Sequence, residues 1–113
     1  MSNYLARVSG DRIDGPGVPL ASIRLDTPAW FSWLAEATTR SFSYPITDRA
    51  RGYISGYVTV RKEHRPRGGD YWWAYRRGQG RVRKIYLGRT ERVTMLQLET
   101  AAGALTTTEP PPL

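Results

Sequence analysis

A stretch of nineteen residues in the second half of the chain combines aromatic rings with positive charge. It is YWWAYRRGQGRVRKIYLGR (71–89), and it holds six arginine or lysine residues and no acidic residue. Phosphates require positive charge, and flat rings stack on bases, so this combination suits nucleic acid better than any reaction chemistry. The segment is therefore the first candidate for a binding surface.

The same segment predicts a β-hairpin. Residues of alternating character flank Gly-Gln-Gly at 78–80, which is the pattern of two strands joined by a short turn. A third strand is predicted over 52–63, where a similar alternation occurs. One face of the three strands would carry rings, hydroxyls and cations: Tyr57, Thr59, Arg61, Trp73, Tyr75, Arg77, Lys84 and Tyr86. The other face would be apolar and suited to a covering helix: Val58, Val60, Ala74, Ile85 and Leu87.

Two helices are predicted from capping residues and apolar spacing. Thr27 is a suitable N-cap for a helix over 28–38, because Pro28 fits the first helical position. A second helix is predicted over 94–105, where apolar residues recur on one helical stripe. The apolar stripe of each helix is expected to lie in the core.

The predicted fold class is α+β. Its sheet is three-stranded and antiparallel over 53–88, or four-stranded if a run over 41–46 joins it, where Pro45 would confine that strand to an edge or an end. The C-terminal helix backs the sheet, and the short N-terminal helix is an additional element. Whether Trp30 and Trp33 of that helix cover part of the charged face stays open at this point.

The chain predicts one folded domain between two irregular ends. Residues 1–20 are rich in Gly, Pro and Asp without any period, which indicates a flexible N-terminal arm. Residues 21–105 form a single α+β nucleic-acid-binding domain in this prediction. Residues 106–113 are a proline-rich tail that cannot continue a helix.

Positive charge is concentrated in the middle of the chain. Residues 40–92 hold fourteen basic and four acidic residues, a net charge of +10, whereas the rest of the chain has a net charge of −3. Fifteen of the seventeen basic residues are arginine, which suits bidentate contacts with phosphate or guanine. This distribution is typical of a protein that binds a polyanion.

Composition excludes or disfavours other classes of function. Cysteine is absent, so disulfides, zinc fingers and cysteine nucleophiles are excluded. There is no run of about 18 apolar residues and no signal peptide, so we expect a cytoplasmic protein without a membrane partner. The one histidine, His64, lies among arginines, where it is a poor metal ligand and a weak general acid. We therefore expect no enzyme activity, no metal and no cofactor.

Residues 52–105 contain an ordered pattern: aromatic-x-Ala-x-Arg, a glycine turn, basic residues, aromatic-Leu-Gly and an Ala-rich helix. The pattern resembles the plant AP2/ERF DNA-binding domains and the arm-binding domains of integrases. In those families a three-stranded sheet backed by a helix lies in the DNA major groove. A closer likeness, which includes TPAWFSWL at 27–34, is to the N-terminal leader region of large bacterial LuxR-type regulators that contain an ATPase core.

The resemblance implies DNA contacts at the matching strand positions: Arg61, Tyr75, Arg77, Lys84 and Tyr86. Two departures limit it. The acidic position that reads cytosine edges in the plant domains is Tyr75 here, and the integrase catalytic domain is absent, so no strand-transfer chemistry is implied.

The predicted nucleic-acid-binding residues combine these positions with neighbouring rings and cations: Arg61, Arg65, Arg67, Trp73, Tyr75, Arg77, Arg81, Lys84, Tyr86 and Arg89. The expected function is sequence-recognising binding of duplex DNA, in a transcriptional regulator or a mobile-element accessory protein. RNA or single-stranded nucleic acid is the first alternative, because aromatic sheets bind unpaired bases. A protein-interaction module of a larger regulator, or self-association, is the second, because exposed Trp, Tyr and Arg are typical of protein interfaces.

Overall fold

The structure, a computed structural model, describes residues 5–19, 22–48, 50–78 and 80–106. Within them lie seven strands and two helices: β1 (Ala6–Ser9), β2 (Arg12–Asp14), β3 (Ile23–Arg24), α1 (Pro28–Ala35), β4 (Ser41–Asp48), β5 (Tyr53–Arg65), β6 (Gly69–Gly78), β7 (Arg81–Gly88) and α2 (Met95–Thr106). A short 3-10 helix, Thr90–Arg92, connects β7 to α2. The strands form one mixed sheet in the order β3-β2-β1-β4-β5-β6-β7.

The α+β class is confirmed, but the sheet is larger than the three or four strands predicted. The predicted hairpins are present as β5, β6 and β7, which pair antiparallel with one another. On the other side β5 pairs with β4, and β4 pairs in parallel with β1. The strand at the opposite end from β3 is β7, so β7 has a hydrogen-bonded neighbour, β6, on one side only among the described strands.

The expectation of an irregular arm is wrong for residues 6–14, which form β1 and β2. Ala6 and Val8 are buried and their neighbours are exposed, so β1 places one face against the core. Gly10 has a φ of +63°, a backbone conformation that glycine adopts at little cost, and it lies between the two strands. Of the glycine and aspartate residues that indicated a flexible arm, Gly10 and Asp11 form this hairpin turn, and Asp14 belongs to β2.

Pro45 lies in a strand that is internal to the sheet, so the prediction of an edge strand is wrong for β4 as a whole and holds only locally, at Pro45 itself. The pairing between β1 and β4 covers only Phe42 and Ser43 on β4. Pro45 lies beyond those pairs, opposite Tyr57 of β5. The N–H that proline lacks therefore removes no hydrogen bond to β1, and at this point β4 has an edge on that side.

Both helices pack on the same face of the sheet, which we call the inner face. The Trp30 ring of α1 meets Phe42 edge-on at a centroid distance of 5.3 Å, and Phe42 contacts Trp72 at 5.8 Å. The Trp30 indole N–H donates to the Val93 carbonyl at 2.8 Å, which ties α1 to the segment before α2. Trp30 of α1 contacts Phe42, and Phe42 contacts Trp72 on the inner face. The alternative in which α1 covers the charged face of β5–β7 is therefore excluded.

Local sequence explains where α1 begins. The Thr27 hydroxyl accepts a hydrogen bond from the Trp30 N–H, and Pro28 is the first helical residue, as the sequence predicts. The helix ends at Ala35, three residues before the predicted end. The second helix runs from Met95 to Thr106 with its apolar stripe buried, as predicted. The predicted proline-rich tail lies outside the described residues except for Thr106.

Candidate nucleic-acid interface

The face of β5–β7 opposite the helices, which we call the outer face, gathers six of the predicted binding residues. Cross-strand pairing makes two rows: Thr59–Tyr75–Lys84 and Arg61–Trp73–Tyr86. Arg77 follows on the next outward position of β6, opposite Val82 of β7. Because directly paired side chains lie about 5 Å apart, rings and cations alternate closely across the three strands.

Aromatic and cationic groups contact one another within and between these rows. The Lys84 ammonium lies 4.4 Å from the centroid of the Trp73 ring, and Tyr86 meets the same ring edge-on at 4.9 Å. Tyr86 also lies 6.0 Å from Tyr71, at a tilt of 35°. The Tyr86 side chain stays about half exposed, with a relative solvent accessibility of 48%. The surface therefore offers an accessible ring next to a charged group.

The indole N–H of Trp73 is shielded from solvent and has no hydrogen-bond acceptor in the structure. A buried donor without a partner costs about 1–3 kcal/mol. Its neighbour Trp72 differs, because the Trp72 N–H donates to the Thr90 hydroxyl at 3.1 Å on the inner face. The outer face thus contains a hydrogen-bonding group that the protein itself leaves unused.

This difference gives a stability prediction for two neighbouring tryptophans. Trp73→Phe removes the unpaired N–H, whereas Trp72→Phe breaks a hydrogen bond and shrinks a fully buried side chain. We expect Trp73→Phe to lower the free energy of unfolding less than Trp72→Phe does. The two losses should differ by at least about 1 kcal/mol. Chemical denaturation of both variants measures the difference. Equal losses would show that the Trp73 N–H is satisfied in solution.

One acidic side chain lies among the outer-facing residues described for β5–β7. Glu63 accepts a hydrogen bond from the Tyr75 hydroxyl at 2.7 Å. Burial raises the pKa of Tyr75, and the hydrogen bond to Glu63 raises it further. The contact holds the Tyr75 ring in a fixed position on the face and gives the carboxylate a hydrogen-bond donor.

The remaining predicted residues lie at the two ends of β6. At one end Arg65 and Arg89 stack on Tyr71, with guanidinium carbons 5.0 and 5.6 Å from the ring centroid. Arg67 is exposed in the adjoining turn. At the other end Arg81 begins β7 and pairs with Gly78. Since Tyr71 and Gly78 are seven residues apart on one strand, the two basic ends are separated by about 23 Å.

Cations on the inner face have a different role. The Lys62 ammonium donates to the Glu36 carbonyl at the C-terminal end of α1, at 2.9 Å, and burial lowers the pKa of this lysine. The Arg76 guanidinium donates to the Leu105 carbonyl near the C-terminal end of α2, also at 2.9 Å. The Glu36 carbonyl also accepts from the Thr39 N–H, so Lys62 adds a second donor there. Both cations lie at the C-terminal end of a helix, where positive charge complements the helix dipole. The direction of Arg76, toward a helix, is the one that the sequence alternation predicts.

Arg7 on β1 is an outward-facing cation that the sequence reasoning missed. Its guanidinium carbon lies 4.4 Å from the centroid of the Tyr57 ring on β5. It was missed because residues 1–20 were expected to be an irregular arm. The alternation of Ala6 and Val8 with Arg7 and Ser9 was the available indication of a strand.

Other kinds of site have little support in the described part of the chain. His64 bonds Asp70 at 2.9 Å on an exposed strand end. In the ranges between residues 5 and 106 that the structure describes, no group of three or more His, Cys, Asp or Glu side chains could hold a metal ion. No helix among the same residues has the length and apolar character needed to cross a membrane.

Comparison with known proteins adds no relative. No protein-family model, curated protein or solved structure matches this chain.

Proposed function

We propose that this protein binds duplex DNA through the outer face of β5–β7 and recognises base sequence there. The observation that supports this most is the pairing register, which sets arginine, lysine and aromatic side chains side by side on one face. Two cations of the inner face, Lys62 and Arg76, are engaged at helix ends, which is a different role from that proposed for the outer face. A regulator of transcription or a mobile-element accessory protein would use such a surface.

The dimensions of the surface suit the major groove. Three strands spaced about 4.8 Å apart measure about 10 Å from β5 to β7. The major groove of B-form DNA is about 12 Å wide and presents a distinct donor and acceptor pattern for each base pair. Arg61 lies on the central part of the face and Arg77 lies near the end of β6. Both are candidates for bidentate contacts with guanine.

Side chains around this centre suit the phosphate backbone. The basic ends of β6, about 23 Å apart, extend past the edges of a groove of that width. They comprise Arg65, Arg67, Arg81 and Arg89. Beyond β5, the outward positions of β4 are the short hydroxyl residues Ser41 and Ser43, and Arg7 follows on β1. Hydroxyls and arginines of this kind position a protein on DNA without reading its sequence.

Unpaired RNA or DNA is the second candidate ligand, and one observation favours it. The ring of Tyr86 is half exposed and tilted only 35° from Tyr71, so it offers a face on which an unpaired base can stack. Duplex DNA is preferred because cations lie between the rings on adjacent strands and interrupt a continuous stacking surface. A protein partner is the third possibility, since exposed tyrosine, tryptophan and arginine also form protein contacts.

Titration of fluorescently labelled duplex DNA, single-stranded DNA and RNA of one sequence at two salt concentrations tests the proposal. Duplex DNA should bind most tightly, and a second duplex of scrambled sequence should bind more weakly if bases are recognised. Tighter binding of either single strand would replace the proposal with the second candidate. Absence of binding to all three would leave a protein interface as the function of the outer face.

A further inference from the structure

A cleft lies where the outer face meets the end of β7. Its volume is about 450 Å³, within the size range of pockets that hold small molecules. Tyr71 and Tyr86 contribute the side continuous with the outer face, and Arg89, Glu91, Arg92 and Gln97 contribute the side formed by the 3-10 helix and α2. Neither Glu91 nor Arg92 was among the residues predicted to bind nucleic acid.

The backbone at the end of β7 builds this cleft. Gly88 has a φ of +110°, which residues with side chains rarely adopt, and the pairing with β6 shifts register between Trp72 and Trp73. A methyl group at Gly88 would lie 3.3 Å from the Cβ and Cγ of Arg92. The absence of a side chain therefore lets the 3-10 helix fold back against the strand and holds Arg92 beside it.

The lining residues match the chemistry of a nucleotide. The Tyr71 and Tyr86 rings lie 6.0 Å apart, and the Arg89 guanidinium carbon is 5.6 Å from the Tyr71 ring. Aromatic rings and guanidinium planes stack on bases, and two arginines supply positive charge for a phosphate. The Glu91 carboxylate accepts hydrogen bonds and the Gln97 amide both donates and accepts, as the edge of an unpaired base requires.

We infer that this cleft binds one nucleotide that is not base-paired, with its ring against Tyr86 and its phosphate at Arg89 and Arg92. The inference rests on the proposed function, because the cleft opens beside Tyr86 of the outer face and a strand end leaving the bound duplex would reach it. Two sources share this chemistry: the unpaired end of a bound DNA strand and a free mononucleotide. The position next to the outer face favours the strand end.

The Arg92→Gln variant tests the inference, because Arg92 lies in the cleft and outside the outer face. Binding is measured to one duplex in two forms, with blunt ends and with a short single-stranded overhang. We expect the wild-type protein to prefer the overhang form by about tenfold, the effect of one stacked base. Arg92→Gln removes a phosphate contact, so it should lower this preference and leave affinity for the blunt form within about twofold. Arg12→Gln is the matched control, since Arg12 lies on β2, five strands or about 24 Å from β7.

The source of the nucleotide and the validity of the inference are decided in the same experiment. A nucleoside monophosphate is added to the protein and its binding is followed by nuclear magnetic resonance shifts. If the overhang gives no preference but these shifts appear and are lost in Arg92→Gln, the ligand is a free nucleotide. The inference is overturned if the blunt duplex binds but neither the overhang nor the mononucleotide shows an effect that depends on Arg92. Failure of both duplexes to bind would overturn the proposed function instead.

Discussion

Affinity for duplex DNA should fall by about three orders of magnitude when salt rises from about 50 to about 200 mM. This follows if the outer face and the 65–67 turn neutralise about six phosphates, because the logarithm of the binding constant then falls with a slope of about −5 against the logarithm of salt concentration. Arg61, Arg77 and Lys84 are available for such contacts on the outer face, whereas Lys62 and Arg76 are engaged at helix ends.

The slope is measured by fluorescence anisotropy at four or more salt concentrations with one anion throughout. Replacing Arg65 and Arg67 together with glutamine should make the slope shallower by about two, because two phosphate contacts are lost. Arg12→Gln also removes one positive charge, as each of the two replacements does, but from β2, far from β6. It should leave the slope unchanged. A wild-type response that is flat between low and physiological salt would show that these cations do not contact phosphates.

The second large effect concerns two adjacent arginines of β6 whose side chains lie on opposite faces of the sheet. Arg77 is exposed on the outer face, so Arg77→Ala should weaken DNA binding by roughly 1–3 kcal/mol with little change in stability. If Arg77 contacts a base edge, discrimination at that base pair is lost as well. Arg76 donates to the Leu105 carbonyl on the inner face, so Arg76→Ala should lower the free energy of unfolding by about 1–2 kcal/mol and leave affinity nearly unchanged.

Each variant is the control for the other, because both remove one arginine from the same strand. Thermal melting and duplex titration are carried out on both proteins, with binding measured well below the melting temperature. An affinity loss for Arg76→Ala as large as that for Arg77→Ala would contradict the assignment of the outer face. Loss of stability in Arg77→Ala would show that its side chain packs against the fold.

Strict alternation explains why the centre of the sheet could be predicted from sequence. In β5 and β6 the small or branched residues Val58, Val60 and Ala74 are buried at alternating positions, and a shift by one residue would place Thr59, Arg61 and Tyr75 in the core instead. The short link between β7 and α2 then limits which face the helix can cover. Local sequence thus determined the faces of β5–β7 and the position of α2.

The N-terminal half was harder to predict because its pairing is not local. Parallel pairing of β1 with β4 joins Ala6 with Phe42, which are 36 residues apart in the sequence. Parallel strands are not joined by a hairpin turn, so no local sequence signal indicates this pairing. β3 has only two residues, too few for an alternation to be visible. The side on which α1 packs depends on Phe42 and Trp72, which are brought together only when the sheet forms.

The candidate site likewise has a part that could be predicted from sequence and a part that could not. The two rows of the outer face follow from strand alternation, so sequence predicted their members together. Arg7 could not be placed beside Tyr57 without knowing that β1 joins the sheet. Glu91 and Arg92 enter the cleft only through the conformation of Gly88, which a sequence motif ending in Leu-Gly does not specify.

The position of β7 at the end of the sheet has a consequence for solubility. β7 has eight residues and, among the strands that the structure describes, its outer edge has no neighbour, so its backbone groups could pair with a second copy of the chain. Charged side chains are a common protection against such pairing. Arg81, Arg83 and Lys84 place three positive charges on this strand, and two identical copies would bring like charges together. Arg81 and Lys84, which are proposed to bind a polyanion, would thus also keep protein molecules apart. Neutralising several of them at once should promote strand-to-strand association, so multiple charge variants need their oligomeric state measured before any loss of binding is interpreted.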